Sequence, residues 1–197
     1  HCALQGLPLF RQQRNHQRLT PIGTLTSPWL SPETCACVTE APAPDVLLLA
    51  TLEGFRDFHP ALAAANLATH SRFAHSRILT GEIRLPQLAA FSRNPHEFRS
   101  ADIARLFDKQ QHDKQDLPTD LAREIGRMVQ ECGKPGCRHN VLPACLSPGL
   151  VGPRLAELEQ RTGCTIKEVA TMPPSLIGMR MQEALKRRFL ALGGTFL

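Results

Sequence analysis

The chain has 197 residues, 42% hydrophobic and 21% charged, the balance of an ordinary globular chain with room for one full core or two small ones. Its formal charge of +5 and pI of about 9.0 favour an anionic partner, but scattered basic residues, nine Phe, one Trp and no Tyr make a poor nucleic-acid profile, and no nucleic-acid partner is expected. The longest uninterrupted apolar runs have five residues, as at Val46–Ala50, too short to span a bilayer, so no transmembrane segment is predicted, and no secretory h-region is read in the first residues.

The stretch 4–38 carries Pro8, Pro21, Pro28 and Pro32 between short β-type pieces and reads as strands and loops, a β-rich N-terminal segment over 1–38. The composition of 39–45 predicts a linker, after which 46–197 alternates strand and helix; one continuous domain over 1–197 is the other division. The apolar run Val46–Leu52 predicts a strand buried on both faces, followed by an Ala-rich helix over about 60–69. A strand is expected over 78–85. Asn94-Pro95-His96-Glu97 is a capping box that starts a helix with Phe98, Ile103, Leu106 and Phe107 on its apolar face. The polar residues 109–116 read as an exposed loop.

Thr119 is expected to cap the next helix, whose stripe is Leu121, Ile125, Met128, Val129 and Cys132, closed by Gly133. Short strands over 140–143 and 165–171 flank a helix over 153–162, closed by Gly163. The last helix runs from an N-cap at Ser175 to a left-handed cap at Gly193 and Gly194. Its Ile177, Met181, Leu185, Phe189 and Leu192 form a stripe expected to pack on a sheet. Thr195-Phe196-Leu197 reads as the start of a further strand and His1 as an internal start, so a piece of a larger protein is expected. The fold class is α/β, a mostly parallel sheet with helices on both faces behind a short β-rich segment.

Several motifs bear on chemistry. Gly54 is a lone glycine after the first buried strand, with neither G-x-G-x-x-G nor G-x-x-x-x-G-K-[ST], so a plain strand-to-helix turn is favoured over a nucleotide cradle. The hydroxyl-rich segment from Arg18 to Leu30, with Thr24 beside Gly23, is either an anion-holding loop or a β-turn anchored by Trp29. Glu97, Arg99, Asp102 and Arg105 stand at helical spacings, either lacing a surface or presenting arginine to a phosphate. Arg180, one turn into the last helix, has the same two readings. Candidate phosphate-binding residues are therefore Thr24, Arg99, Arg105 and Arg180. The eight His show no ligand spacing, no metal site is expected, and no G-x-S-x-G elbow occurs. Seven Cys without a disulfide or zinc framework predict free thiols in a reducing compartment.

In collinear order, Arg18–Thr24 with Trp29-Leu30, the stretch from Asn94 to Asp108, Leu142-Pro-Ala-Cys145, and Pro173–Arg180 through Gly193-Gly194 resemble the B subunit of bacterial anaerobic glycerol-3-phosphate dehydrogenase. The resemblance covers nearly the whole chain. It implies an FMN-dependent flavoprotein subunit that, with a partner flavoprotein subunit, oxidises glycerol 3-phosphate to dihydroxyacetone phosphate. An iron–sulfur membrane-anchor subunit would then pass electrons to quinone in anaerobic respiration. It also implies a cytoplasmic place, peripheral at the inner face of the bacterial inner membrane through that complex. Family members begin with a strand and Gly-rich flavin turn not found here, so the chain resembles a middle region, inactive alone. It brings no catalytic or cofactor-binding residue to carry over. The rival expectation is a non-catalytic module that docks the complex's subunits.

Overall fold

A computed structural model describes residues 9–11, 16–38, 43–91, 97–109, 117–131, 139–147 and 151–196. The β-rich opening is two antiparallel pairs: β1 (Leu9–Arg11) with β4 (Leu30–Pro32), and β2 (Arg18–Leu19) with β3 (Leu25–Thr26). A buried polar network holds them. Ser31 Oγ accepts from Arg18 Nε at 2.7 Å and lies 2.6 Å from His16 Nε2, while Arg18 Nη1 donates to the Cys35 carbonyl. The turn joining β2 to β3 closes through Gly23 N–H to Thr20 O and Thr20 N–H to Thr24 O. Of the predicted linker, 39–42 lie outside the described residues.

The α/β alternation follows as expected, with one helix, over Pro86–Phe91, beyond those predicted. It comprises β5 (Val46–Leu52), α1 (Pro60–Ala68), β6 (Arg77–Ile83), α2 (Pro86–Phe91), α3 (Ser100–Lys109), α4 (Leu117–Glu131), β7 (His139–Pro143), α5 (Val151–Thr162), β8 (Thr165–Val169) and α6 (Leu176–Ala191). The four strands pair in parallel in the order β6-β5-β7-β8. Every β5 residue is buried, Thr51 included, as a nearly continuous apolar run requires of a central parallel strand. Leu47 and Leu48 point to opposite faces. The Leu47 face meets Leu67 of α1 and Phe73 of a short 3-10 turn, Ser71–Phe73. On the Leu48 face Gly81 leaves room for Met128 of α4, which packs with α5. Helices therefore cover both faces.

The β-rich segment extends the sheet. Cys35 bridges Glu168 in parallel, Ala36 N–H donates to Glu168 O at 2.9 Å and Glu168 N–H to Thr34 O at 2.8 Å. Thr34–Ala36 thus run along the outer edge of β8, and the backbone groups of that edge find partners.

Several local expectations are corrected. Helix α3 starts at Ser100, with Asp102 Oδ2 accepting from Arg99 N–H at 3.3 Å. Glu97 and Phe98 precede it, because Phe98 is engaged in a bridge to Phe55; Asn94, Pro95 and His96 lie outside the described residues. Helix α4 begins at Leu117, two residues before Thr119, because fully buried Leu117 adds a rung to the apolar stripe; Cys132 and Gly133 are outside the described residues.

The third correction concerns α6. Ser175 caps it, accepting from Gly178 N–H at 3.1 Å, and Gly193 has φ +85°, as its caps predict. Its buried line is instead Leu176, Arg180 and Ala184, while Leu185, Phe189 and Leu192 are 52%, 45% and 68% exposed. The helix turns its charged Arg180 inward to meet a buried acid, which rotates the expected stripe outward. Thr195 and Phe196 form no strand; Phe196 folds back with its ring centroid 5.0 Å from that of Phe189. Leu197 lies outside the described residues. Trp29 is also 53% exposed rather than a buried anchor. Among the described residues no helix is long and apolar enough to cross a membrane.

Candidate functional site

The chain leaves β5 for β6 on one side and then crosses to β7 on the other, so strand order reverses beside β5. In open parallel sheets the crevice at the carboxyl ends beside such a reversal is where ligands bind. Four connections meet there: residues 53–59 after β5, 97–99 before α3, 144–147 after β7 and 170–175 after β8. Each is tied down. Phe98 N–H donates to Gly54 O at 2.8 Å, Ala144 N–H to Val169 O at 2.9 Å, and Ser100 Oγ lies 2.8 Å from Thr171 Oγ1.

A buried ion pair sits beneath this end. Arg180 Nη1 and Nη2 donate to Glu168 Oε2 and Oε1 at 2.7 and 3.0 Å, and Arg180 Nε donates to Ser147 O at 2.7 Å. The side chains are 2% and 0% exposed. One guanidinium thereby joins β8, α6 and the connection after β7 in a planar fork. Glu168 shares its strand face with Ile166, so the sequence did contain a signal: an acid on the apolar face of a short strand needs a buried cation. Spacing alone could not supply the partner's identity.

The same carboxylate shapes two thiols. Burial, and after it Glu168, pushes Cys35 from the ordinary 9.0 up to about 12, against opposition from Arg18 and Arg180. Cys145 is raised by the same two causes in the same order. The four described cysteines, 35, 37, 145 and 164, are in no disulfide. Since the folded state holds the Cys35 proton more tightly, its stabilising contribution is complete below pH 9.0 and lost as pH rises towards about 12. Cys35→Ala should therefore lose less stability than the parent across that alkaline window. Urea melts on either side of it check this; equal losses would contradict the assignment.

The four phosphate candidates separate in space and setting. Thr24 is exposed in the β2–β3 turn, its hydroxyl 2.8 Å from that of Thr20 and its N–H bonded to Thr20 Oγ1. That hairpin lies over α1, where Asn66 Nδ2 donates to Ile22 O at 2.6 Å. Arg105 is exposed and 3.8 Å from Asp102. Arg180 is in the buried pair. Arg99 is exposed at the crevice, between Phe98 and Ser100, and forms no ion pair among the described residues. Two neighbouring arginines there are paired, Arg56 with Glu97 at 3.6 Å and Arg84 with Glu53 at 3.5 Å.

The turn after β5 does not fit a flavin phosphate. Three of its amides are engaged: Glu53 N–H by Ile83 O, Phe55 N–H by Leu52 O and Arg56 N–H by Phe98 O. A phosphate cradle needs several such N–H groups pointing at one anion. Among the described residues no three His, Cys, Asp or Glu side chains converge to hold a metal ion.

A family model described as an FAD binding domain matches residues 1–197. A Vibrio vulnificus (strain YJ016) protein, named as the B subunit of anaerobic glycerol-3-phosphate dehydrogenase, is 38% identical over 98% of this chain, which spans 42% of that protein. Proteins of the same name from Aliivibrio fischeri (strain ATCC 700601 / ES114) and Haemophilus influenzae are 38% and 35% identical over 98% and 94% of the chain, each over 41% of their own length. The chain thus spans about two fifths of these relatives. No solved structure matches it.

Proposed function

This chain belongs to the FAD binding domain family, and we propose that it serves as the middle region of the B subunit of a quinone-linked anaerobic glycerol-3-phosphate dehydrogenase. In that reading the whole subunit oxidises glycerol 3-phosphate to dihydroxyacetone phosphate with a bound flavin. The observation that carries it is the family match over all 197 residues, joined to 38% identity with proteins bearing that name. The share of those relatives that the chain spans supports its being a region of a longer flavoprotein, inactive by itself. The partners are then a second flavoprotein subunit and an iron–sulfur membrane-anchor subunit, which would hold the complex at the cytoplasmic face of the inner membrane in bacterial anaerobic respiration. The edge pairing of Thr34–Ala36 with β8 supports treating 1–197 as one unit rather than as separate segments.

In this reading the described residues position and bind rather than cradle the flavin. Arg99 is the foremost contact for the substrate phosphate, with Arg105 second, because a guanidinium matches a phosphate bidentately. Arg180 is a positioning residue that fixes the connection after β7, and Thr24 is the most remote candidate. Arg99→Ala should raise KM for glycerol 3-phosphate about tenfold or more in the intact complex, the loss of about 1.5–3 kcal/mol from charged hydrogen bonds. An unchanged KM removes Arg99 from the site. The broader test is anaerobic: glycerol 3-phosphate should bleach the visible band of flavin in the purified complex. Flavin that stays oxidised sinks the proposal. The family model points to FAD and the resemblance to FMN; released flavin treated with phosphodiesterase distinguishes them.

One observation favours the rival docking role. Leu185, Phe189, Leu190 and Phe196 are 45–62% exposed beside Lys186, Arg187 and Arg188. If that face docks a partner subunit, Phe189→Asp should abolish co-purification of the complex while leaving thermal stability unchanged.

A further inference from the structure

A cavity of about 230 Å³ opens at the amino ends of the strands, opposite the crevice described above. Leu47, Val141 and Lys167 share one sheet face by register, and the cavity lies between that face, Phe73 and the 18–38 segment. Its walls are largely apolar. The charged groups lining it are Arg18, Lys167 and, on the exposed rim, Glu33. Lys167 is half-buried and forms no ion pair or hydrogen bond among the described residues.

The size selects the class of ligand. Its volume is that of roughly eight liquid waters, and pockets for larger cofactors start near about 300 Å³. A whole flavin dinucleotide does not fit; a single ring or short acyl chain does. An apolar floor edged by a lysine that forms no ion pair among the described residues is an arrangement that holds a small amphipathic anion.

We propose that this cavity binds a small organic monoanion, with its aryl or short acyl body on Leu47, Phe73 and Val141 and its carboxylate at Lys167. The site is separate from any site for glycerol 3-phosphate, which has no apolar body to bury, so it does not depend on the function proposed above.

Cys37 lines the same cavity and is only half-buried, so it can report occupancy. Cys35 lines it too, but burial raises its thiol to about 12 and makes it an unreactive internal reference at neutral pH. The experiment is alkylation of the intact protein by iodoacetamide, read peptide by peptide in a mass spectrometer, with and without millimolar benzoate. Benzoate should slow Cys37 labelling several-fold, saturably, and raise the melting temperature. Lys167→Gln should abolish the protection while melting like the parent, and Lys167→Arg should restore it.

Any of four results overturns the proposal: Cys37 that does not label in the free protein, no protection by benzoate, full protection in Lys167→Gln, or equal protection by glycerol 3-phosphate. None of these readouts involves flavin reduction, so failure here and failure of the dehydrogenase reading are distinguishable.

Discussion

Arg180→Ala should lower the unfolding free energy by about 3–5 kcal/mol, because it leaves the fully buried Glu168 carboxylate without its counter-charge. For a domain of this size that corresponds to a fall in melting temperature of roughly 6–20 °C. The loss has two parts. A charge remains in the core without compensation, and Ser147 O loses the donor that pins the connection after β7. The double variant Glu168→Leu with Arg180→Met should recover most of the loss, since well-packed apolar residues commonly match a buried ion pair. The bond from Arg180 Nε to Ser147 O would still be absent, so recovery should be incomplete and the 144–147 segment should remain quicker to exchange its amide hydrogens. Thermal melts of the three variants decide it. A single variant within about 1 kcal/mol of the parent would mean that water reaches the pair.

The second large effect lies at Gly23. Its φ is +82°, a region that side chains other than glycine avoid, and a Cβ there would run into the backbone of Ala63 in α1. Backbone cannot swing aside as a side chain can. Gly23→Ala should therefore cost about 2–4 kcal/mol: about 1 for the strained backbone and about 1–3 for forcing the hairpin off the helix. Gly81→Ala is the control. Its Cβ would meet the terminal methyl of Met128, the free end of a flexible chain, and its loss should be smaller. Equal losses at both positions would show that the β2–β3 turn does not rest on α1. Loss of protection at Asn66 and Ile22, which are linked by a 2.6 Å hydrogen bond, would locate the damage.

These two positions also mark how far the sequence could be read. Gly23 sits in a hydroxyl-rich segment with two open readings, and the structure shows the turn reading locally: Thr20 and Thr24 bond one another. What the turn rests upon was not legible, because Ala63 lies 40 positions away and carries no signal of its own. The exposed stripe on α6 makes the same point in reverse. Spacing identified the helix, its Ser175 cap and its Gly193 stop, all features written within one or two turns of chain. Which face turns inward depended on Glu168, whose position beneath the helix is a property of the assembled sheet. Likewise periodicity puts Phe98 on an amphipathic helix face, and Phe98 is buried, but its bridge to Phe55 keeps it out of the helix.

Local pattern was enough for the α/β class, the buried strand Val46–Leu52, strands β7 and β8, and helices α5 and α6 with their stops at Gly163 and Gly193. It also carried the family resemblance, since collinear motifs survive without knowledge of the fold. The strand order β6-β5-β7-β8, the edge pairing of Cys35 with Glu168 and the partner of Arg180 emerged only from the assembled chain. The difference is one of range. Propensity, capping and periodicity act over a few residues, whereas Arg180 finds Glu168 12 residues away and Ser147 33 residues away only once the sheet has closed. Its charge could be read from the chain; its burial is a consequence of packing.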